Sequence, residues 1–470
     1  MATSIGESGV IVESDGSTRQ PRDRAVIHVH ASRRVVLGFA LLLLVPWAVL
    51  LLLAWTARDS MPSLPPTQAQ GARASVTGHP PIQPNRPPVA RPAGISTGAA
   101  VANGRIELGK AGRWGRLEYT RIAIELPEEF VYVPPATADR MVRWFFKGFT
   151  REQFVALVES IDMEGELREK LLAAPNESEP DGIWVTPGDE VILALKPEAR
   201  AALYSILVGF KENSLYVDPF CYRPSLLNER LERSGLTDQA LGLFQSLLYP
   251  HGPSLLLFAD VEPALRQIAD ETEQRRFVKT VSRRTTLLAS LQITPESNIA
   301  ELVGYWGVGG RSKDLEPLLD SLRRVEGGTK LDVLHLLPRF VRQRLYTYPQ
   351  AVDEATVSKQ DCFWSAFNMF NDEPDDRFAD MNYAAEVLQT DYNHIVSPSQ
   401  LGDLIFLATE DGTAVHAATY IADNIVFTKN GAMYTQPWIL MPLDDMVAIY
   451  SIPYPADRPL KVHFYRRASF

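Results

Sequence analysis

An uncharged, strongly apolar run at residues 35–57 places the tightest constraint on how this chain folds. It includes two stretches of four consecutive leucines and follows a pair of arginines. Because a helix rises 1.5 Å per residue, about 20 such residues cross the hydrocarbon core of a membrane. The sequence therefore predicts a transmembrane signal anchor. A cleaved signal peptide is the alternative, although its apolar core is shorter, at about 7–15 residues.

The segments on either side of this run predict its orientation. Residues 1–34 are polar and carry several arginines close to the run, whereas charges cancel just after it. By the positive-inside rule, this disordered tail lies in the cytoplasm and the rest of the chain lies outside. Residues 58–100 are rich in Pro, Ala, Gly and Ser, which predicts a semi-stiff linker. We therefore expect a single-pass protein of the cell (inner) membrane.

Composition excludes several classes of function. The apolar fraction of 46% supports folded cores beyond the linker. The formal charge of −10 argues against nucleic acid as a partner, since binding phosphates requires basic patches. With only Cys221 and Cys362, the chain has no disulfide framework. We find no cofactor motif and no metal-ligand spacing, so we predict neither a cofactor nor a metal.

Residues 101–345 are expected to form a helix-rich α+β domain of unknown role. Alternating residues near 105–108 and 117–124 predict opening strands, and Thr150 to Gln153 matches a capping box that starts a helix. Apolar residues with helical spacing recur at 197–211, 225–248, 261–292, 297–306, 315–324 and 331–345.

Residues 346–470 carry the residues with catalytic chemistry. Asp361 is a good helix N-cap, and the aromatic residues that follow predict a buried helix with Cys362 in its first turn. There the helix dipole favours the thiolate, the form that attacks. A buried cysteine that only fills space is the alternative.

A series of strands follows this helix. Gly402-Asp403 leads into a predicted strand at 404–407, and residues 414–421 alternate as a second strand that contains His416. A third strand is predicted at 425–428, with two more near 446–451 and 460–465. The expected result is a helix packed on an antiparallel half-barrel.

These features resemble the NlpC/P60 family of papain-like cysteine peptidases. The resemblance lies in Asp361-Cys362 at a helix start, Gly402-Asp403 before a strand, and His416 near the start of the next strand. It covers about the last 110 residues only. The family usually has Ser-Gly after its Asp-Cys and Val-Gly after its His, where this chain has Phe363-Trp364 and Ala417-Ala418.

The resemblance implies roles for individual residues. Cys362 would be the nucleophile and His416 the base. The third group, which orients the imidazole, would be Asn430 or, as the alternative, Thr428. Four further residues are candidates to line the substrate cleft: Asp361, Trp364, His394 and Tyr420.

The sequence thus predicts an α+β protein with a transmembrane helix, a helix-rich middle domain and a C-terminal papain-like domain. The expected function is a membrane-anchored, extracytoplasmic cysteine hydrolase that cleaves amide bonds in cell-wall peptides through a thioester. The alternative is an inactive or acyl-transferring domain that serves as an envelope binding or scaffold protein. The expected partners are the membrane, a peptidoglycan peptide or another envelope protein.

Overall fold

The computed structural model describes residues 105–135, 141–349 and 359–470. The predicted cytoplasmic tail, the membrane span at 35–57 and the linker at 58–100 lie outside the described residues. Within the described ranges, no helix has the length and apolar character needed to cross a membrane.

Strands and helices are mixed along the whole described chain. The strands are β1 (Glu107–Leu108), β2 (Arg116–Ile124), β3 (Trp144–Lys147), β4 (Asn176–Glu179), β5 (Gly182–Val185), β6 (Phe220–Tyr222), β7 (Tyr249–His251), β8 (Leu255–Phe258), β9 (Arg284–Ile293), β10 (Thr329–Asp332), β11 (Tyr392–Ile395), β12 (Leu404–Ala408), β13 (Ala414–Ala422), β14 (Ile425–Lys429), β15 (Trp438–Pro442) and β16 (Lys461–Arg467). The helices are α1 (Arg151–Ser160), α2 (Gly165–Ala173), α3 (Asp189–Ala194), α4 (Pro197–Leu207), α5 (Ser214–Val217), α6 (Pro224–Glu232), α7 (Asp238–Ser246), α8 (Val261–Arg266), α9 (Glu271–Ser282), α10 (Ile299–Trp306), α11 (Ser312–Arg323), α12 (Arg339–Arg344), α13 (Cys362–Phe367), α14 (Met381–Asp391) and α15 (Leu443–Tyr450).

The predicted fold class is wrong. Instead of a helix-rich middle domain and a papain-like half-barrel, the described residues form a mixed α/β structure with several antiparallel sheets, and the predicted transmembrane helix lies outside them. The strands of the middle region are mostly three or four residues long, too short to show a clear alternation in sequence. Residues 284–292, predicted as helix, form the long strand β9, which pairs with both β2 and β10.

The C-terminal sheet has six antiparallel strands in the order β11-β16-β12-β13-β14-β15. Helix α13 packs on one face together with the side chains of Ala417 and Phe427, and α15 packs on the other face with those of Ala418 and Val426. At the β15 edge, Leu345 forms a parallel bridge with Trp438. The sheet therefore holds two apolar layers, one on each side of β13 and β14.

The largest apolar core joins the C-terminal sheet to β2, β9 and α10 of the middle region. Hydrogen bonds reinforce this contact. The Thr286 hydroxyl donates to the Leu440 carbonyl at 2.9 Å, and the Leu440 N–H donates back to it at 3.0 Å. The Tyr305 hydroxyl donates to the Ile421 carbonyl at 2.6 Å. The middle region thus supports the sheet that carries the candidate site.

Candidate functional site

Helix α13 begins at Cys362, and Asp361 caps it. The Asp361 carboxylate accepts the backbone N–H of Trp364 at 2.8 Å, as expected for an N-cap side chain. All six residues of the helix are buried. The hydroxyl of Ser365 accepts the indole N–H of Trp438 at 2.8 Å, which fixes the helix against β15. The cysteine is therefore held rigidly at the start of a buried helix.

The Cys362 side chain is only 6% exposed. The backbone N–H of Ala417, the residue after His416, lowers the pKa of its thiol. Burial, with a smaller contribution from the Asp361 charge, raises the pKa of the Cys362 thiol to about 12. This shift is opposite to the one expected from the helix start, because burial outweighs the helix dipole. The resting cysteine is a neutral thiol.

His416 is fully buried on β13, where a hydrogen bond joins its ring to Thr428. Its Nε2 lies 2.9 Å from the Thr428 hydroxyl oxygen, and that oxygen lies 3.4 Å from Asn430 Oδ1. In the tautomer that suits both contacts, the Thr428 hydroxyl donates to Asn430, and the ring N–H sits on Nε2 and donates to Thr428. His416 Nδ1 is then a bare acceptor, and no hydrogen-bond partner reaches it from the described residues.

Burial also sets the charge of His416. It lowers the pKa of the imidazole to about 3, so the ring is neutral near pH 7. The ring stacks on Tyr450 of α15, with a centroid separation of 3.9 Å and an interplanar angle of 19°. The resting pair is thus a neutral thiol and a neutral imidazole.

Cys362 and His416 lie on opposite faces of the C-terminal sheet, next to a gap between two strands. Pairing of β13 with β14 stops at Thr419 and Phe427, so the start of β13 is not paired with β14, and the N–H of Ala417 there lowers the pKa of the Cys362 thiol. Because side chains alternate along a strand, Ala417 faces α13 while His416 faces α15. Among the described residues, no hydrogen bond joins the Cys362 sulfur to His416 Nδ1.

Lys429 is a residue that sequence reasoning set aside. Its side chain is fully buried, and its ammonium donates to the carbonyls of Gly431 at 2.7 Å and Met433 at 3.0 Å. Burial lowers its pKa to about 8, while attraction to Cys362 and Asp361 opposes that shift. Its position was predictable from the sequence, because alternation along β14 places Lys429 on the α13 face with Phe427.

The other candidates lie in different surroundings. Trp364 is buried and donates to the Asp376 carboxylate at 3.1 Å, and Tyr420 donates its hydroxyl proton to the Asp423 carbonyl at 3.0 Å. His394 lies on the edge strand β11, exposed and 6.0 Å from the His463 ring, with two strands between it and β13. The structure therefore places Asp361 next to Cys362 at the start of α13 and brings His416 together with Thr428, whereas His394 lies apart from both groups.

No family model matches this chain, and neither do any curated protein or any solved structure. The resemblance to the NlpC/P60 family therefore stays a prediction. Among the described residues, no group of three or more His, Cys, Asp or Glu side chains is placed to hold a metal ion.

Proposed function

We propose that this protein is a cysteine hydrolase that cleaves amide bonds through a thioester on Cys362. One observation carries the proposal. A fully buried histidine has one ring nitrogen 2.9 Å from the Thr428 hydroxyl and the other without a partner among the described residues, and the backbone N–H of the next residue, Ala417, lowers the pKa of the Cys362 thiol. An unpaired buried polar atom costs folding free energy, and such atoms are retained at reactive sites. A role as the base that accepts the thiol proton accounts for this unpaired nitrogen of His416.

The chemistry follows from the neutral resting pair. As the sulfur attacks the carbonyl carbon, the thiol proton must pass around the unpaired start of β13 to His416 Nδ1 on the other face of the sheet, and Thr428 then stabilises the imidazolium by accepting from Nε2. The imidazolium then protonates the leaving amine, and the C–N bond breaks to leave an acyl thioester. Water, deprotonated by Nδ1, hydrolyses the thioester and restores the thiol. The Ala417 N–H and the Lys429 charge lie near the sulfur and oppose the negative charge that develops there.

The burial of both groups favours a second candidate, a binding module that performs no turnover. In that case Cys362 is a space-filling side chain at a helix start. Only the first candidate function, the hydrolase, has a substrate, and we expect it to be a peptide of the cell envelope. The two candidates differ in whether an activated ester acylates Cys362.

The test is acylation of the full chain with p-nitrophenyl acetate, followed by peptide mass spectrometry. We expect a burst of nitrophenolate and an acetyl group on Cys362, with far less on Cys221, since a His-assisted thiol reacts faster than an unassisted one. Cys221 is a matched internal control, because burial raises its pKa to about 12 as well.

Variants of the base and its partner complete the test. His416→Gln should abolish the burst, and Thr428→Val should slow it by about tenfold or more, since loss of an orienting group typically costs that much. Thr428→Ser keeps the hydroxyl and should retain most of the rate. Equal acetylation of both cysteines, or a burst unchanged in His416→Gln, would rule out the hydrolase and favour the binding module.

A further inference from the structure

A cavity of about 330 Å³ lies between the middle region and the C-terminal sheet. Residues 217–230 and the start of β9 form one side, and β15 and α15 form the other. Its walls include Leu226, Leu227, Ile439 and Ile449, so much of the lining is apolar. This volume suits a small organic molecule.

The charged residues in the wall are unbalanced. Among the described residues that line the cavity are five arginines and only two aspartates. Asp445 already pairs with Arg121 and Arg223, and Arg283 pairs with Glu125. The second aspartate, Asp218, is exposed to solvent. Positive charge therefore remains uncompensated on the two other arginines, Arg230 and Arg284.

Arg230 and Arg284 have hydrogen-bond donors without acceptors. Two nitrogens of Arg230 and the Nε of Arg284 are buried, and none of the three has a hydrogen-bond partner in the described part of the chain. Neither guanidinium forms an ion pair with a described carboxylate. Arg230 lies 4.8 Å from the centre of the Tyr222 ring, and Arg284 lies 5.3 Å from that of Phe220. The aromatic rings thus hold both cations in place without neutralising them.

This arrangement costs stability in the empty protein. A buried charge without a partner is expensive, and the pKa of Arg230 is lowered to about 10 by its burial and by the neighbouring arginines. A structural role would show satisfied donors, as for Arg200, whose guanidinium binds Asp260 at 2.9 Å and two backbone carbonyls. An anion from outside the chain would satisfy the donors of Arg230 and Arg284.

We propose that this cavity binds a small organic carboxylate, with Arg230 and Arg284 holding the carboxylate group and the apolar wall holding its body. Guanidinium groups match carboxylates in geometry and bind them with charge-assisted hydrogen bonds. The apolar lining favours an organic molecule over a bare inorganic anion. The wall also contains Tyr450, which stacks on His416, and Asn430, which binds Thr428, so the ligand would lie against the partners of the candidate base.

The test measures binding in the full chain carrying Cys362→Ala, so its result does not depend on whether Cys362 reacts. The probes are N-acetylated leucine, phenylalanine and dipeptides with free carboxylates, their C-terminal amides, and inorganic phosphate. We expect the free carboxylates to raise the thermal midpoint and the amides not to. Arg230→Met should weaken binding by about tenfold, the effect of losing one charge-assisted hydrogen bond.

Stability without ligand gives a second, independent readout. Arg230→Met and Arg284→Met should leave the ligand-free protein as stable or make it more stable, since each removes buried donor nitrogens that have no acceptor among the described residues. The matched control Arg283→Met should destabilise it, because Arg283 pairs with Glu125 and donates to the carbonyls of Arg230 and Arg233.

Three results would overturn the proposal. The amides or phosphate could stabilise the protein as much as the carboxylates do. No probe could stabilise it. Arg230→Met could destabilise the ligand-free protein as much as Arg283→Met does.

Discussion

His416 combines three properties that rarely occur together in one side chain. Its ring is fully buried, it stacks on Tyr450, and only one of its two nitrogens has a partner among the described residues. Burial keeps the imidazole neutral, so the folded protein excludes a proton that the unfolded chain would bind. Folding stability therefore depends on pH through this one residue.

This dependence has a definite sign. Folding lowers the pKa of His416 from 6.5 to about 3. Its contribution to the free energy of unfolding is therefore fully present above pH 6.5 and is lost as the pH falls toward 3. Between pH 7 and pH 5 we expect this residue to cost about 2 kcal/mol of the free energy of unfolding. Urea unfolding at the two pH values should show that loss in the wild type and a smaller one in His416→Gln. The exposed His394→Gln serves as the control, and equal losses in wild type and His416→Gln would contradict the assignment.

The residues of the site were only partly predictable from sequence. Asn430 was preferred as the third group for its chemistry, but Thr428 is the residue within hydrogen-bond distance of the ring. Asn430 lies just past the end of β14, two residues after Thr428, so the choice between them depends on where the strand ends and on its register with β13, which local sequence does not determine. The charge state of Cys362 depends on burial from distant parts of the chain and was missed for the same reason.

At the scale of elements, α13 controls the site through its first residues. The helix has only six residues, so its cap and its contacts with the sheet keep it in place. Asp361 has two opposed effects on Cys362. It caps the helix that positions the sulfur, and its negative charge raises the pKa of the thiol.

Two substitutions separate these effects. Asp361→Asn keeps a capping side chain and removes the charge, so it should leave stability nearly unchanged while the pKa of Cys362 falls. Asp361→Ala removes both and should cost about 1 kcal/mol. Iodoacetamide labelling of Cys362 against pH, in a Cys221→Ser background, should shift to lower pH in both variants. A profile unchanged in Asp361→Asn would show that its charge does not act on the sulfur.

Some elements followed from their local pattern, and others did not. The capping box at Thr150 is confirmed, as are the strands β12, β13 and β14, because each has a clear period or a strong start signal. Residues 446–451, predicted as a strand, lie instead in α15 and the turn after it. There Met446 and Tyr450 pack on the sheet at helical spacing, a contact that a short apolar run does not reveal.

At the scale of the whole molecule, β9 connects the middle region to the sheet that carries the site. The Thr286 hydroxyl exchanges two hydrogen bonds with the backbone of Leu440 on β15, far away in sequence. The sequence predicts a domain boundary between residues 345 and 346, but this contact and the largest apolar core both join residues from the two sides of it. Contacts between segments so distant in sequence leave no local pattern, so the sequence did not predict this joint core.

Thr286→Val removes both hydrogen bonds while keeping the side-chain volume. We expect a loss of about 1–3 kcal/mol, because the backbone groups of Leu440 stay buried without partners. Hydrogen exchange should become faster in β15, although the substitution lies on β9. Thr285→Val is the matched control, since no hydrogen bond is formed by its hydroxyl with the described residues. Faster exchange confined to β9 would contradict the proposed coupling.

The bridge between Leu345 and Trp438 has a consequence for self-association. The Tyr346 N–H donates to the Trp438 carbonyl at 2.8 Å, and the Trp438 N–H donates to the Thr347 carbonyl at 3.0 Å. An edge strand with free backbone groups is a template for aggregation, and here the chain's own backbone pairs with β15 at its first residue, Trp438. The opposite edge, β11, has four residues, with Asn393 and His394 exposed. Addition of a further strand to the six-stranded sheet is thus blocked at the start of β15. At the other edge, only β11 is available for pairing, a short strand whose two central residues are polar and exposed.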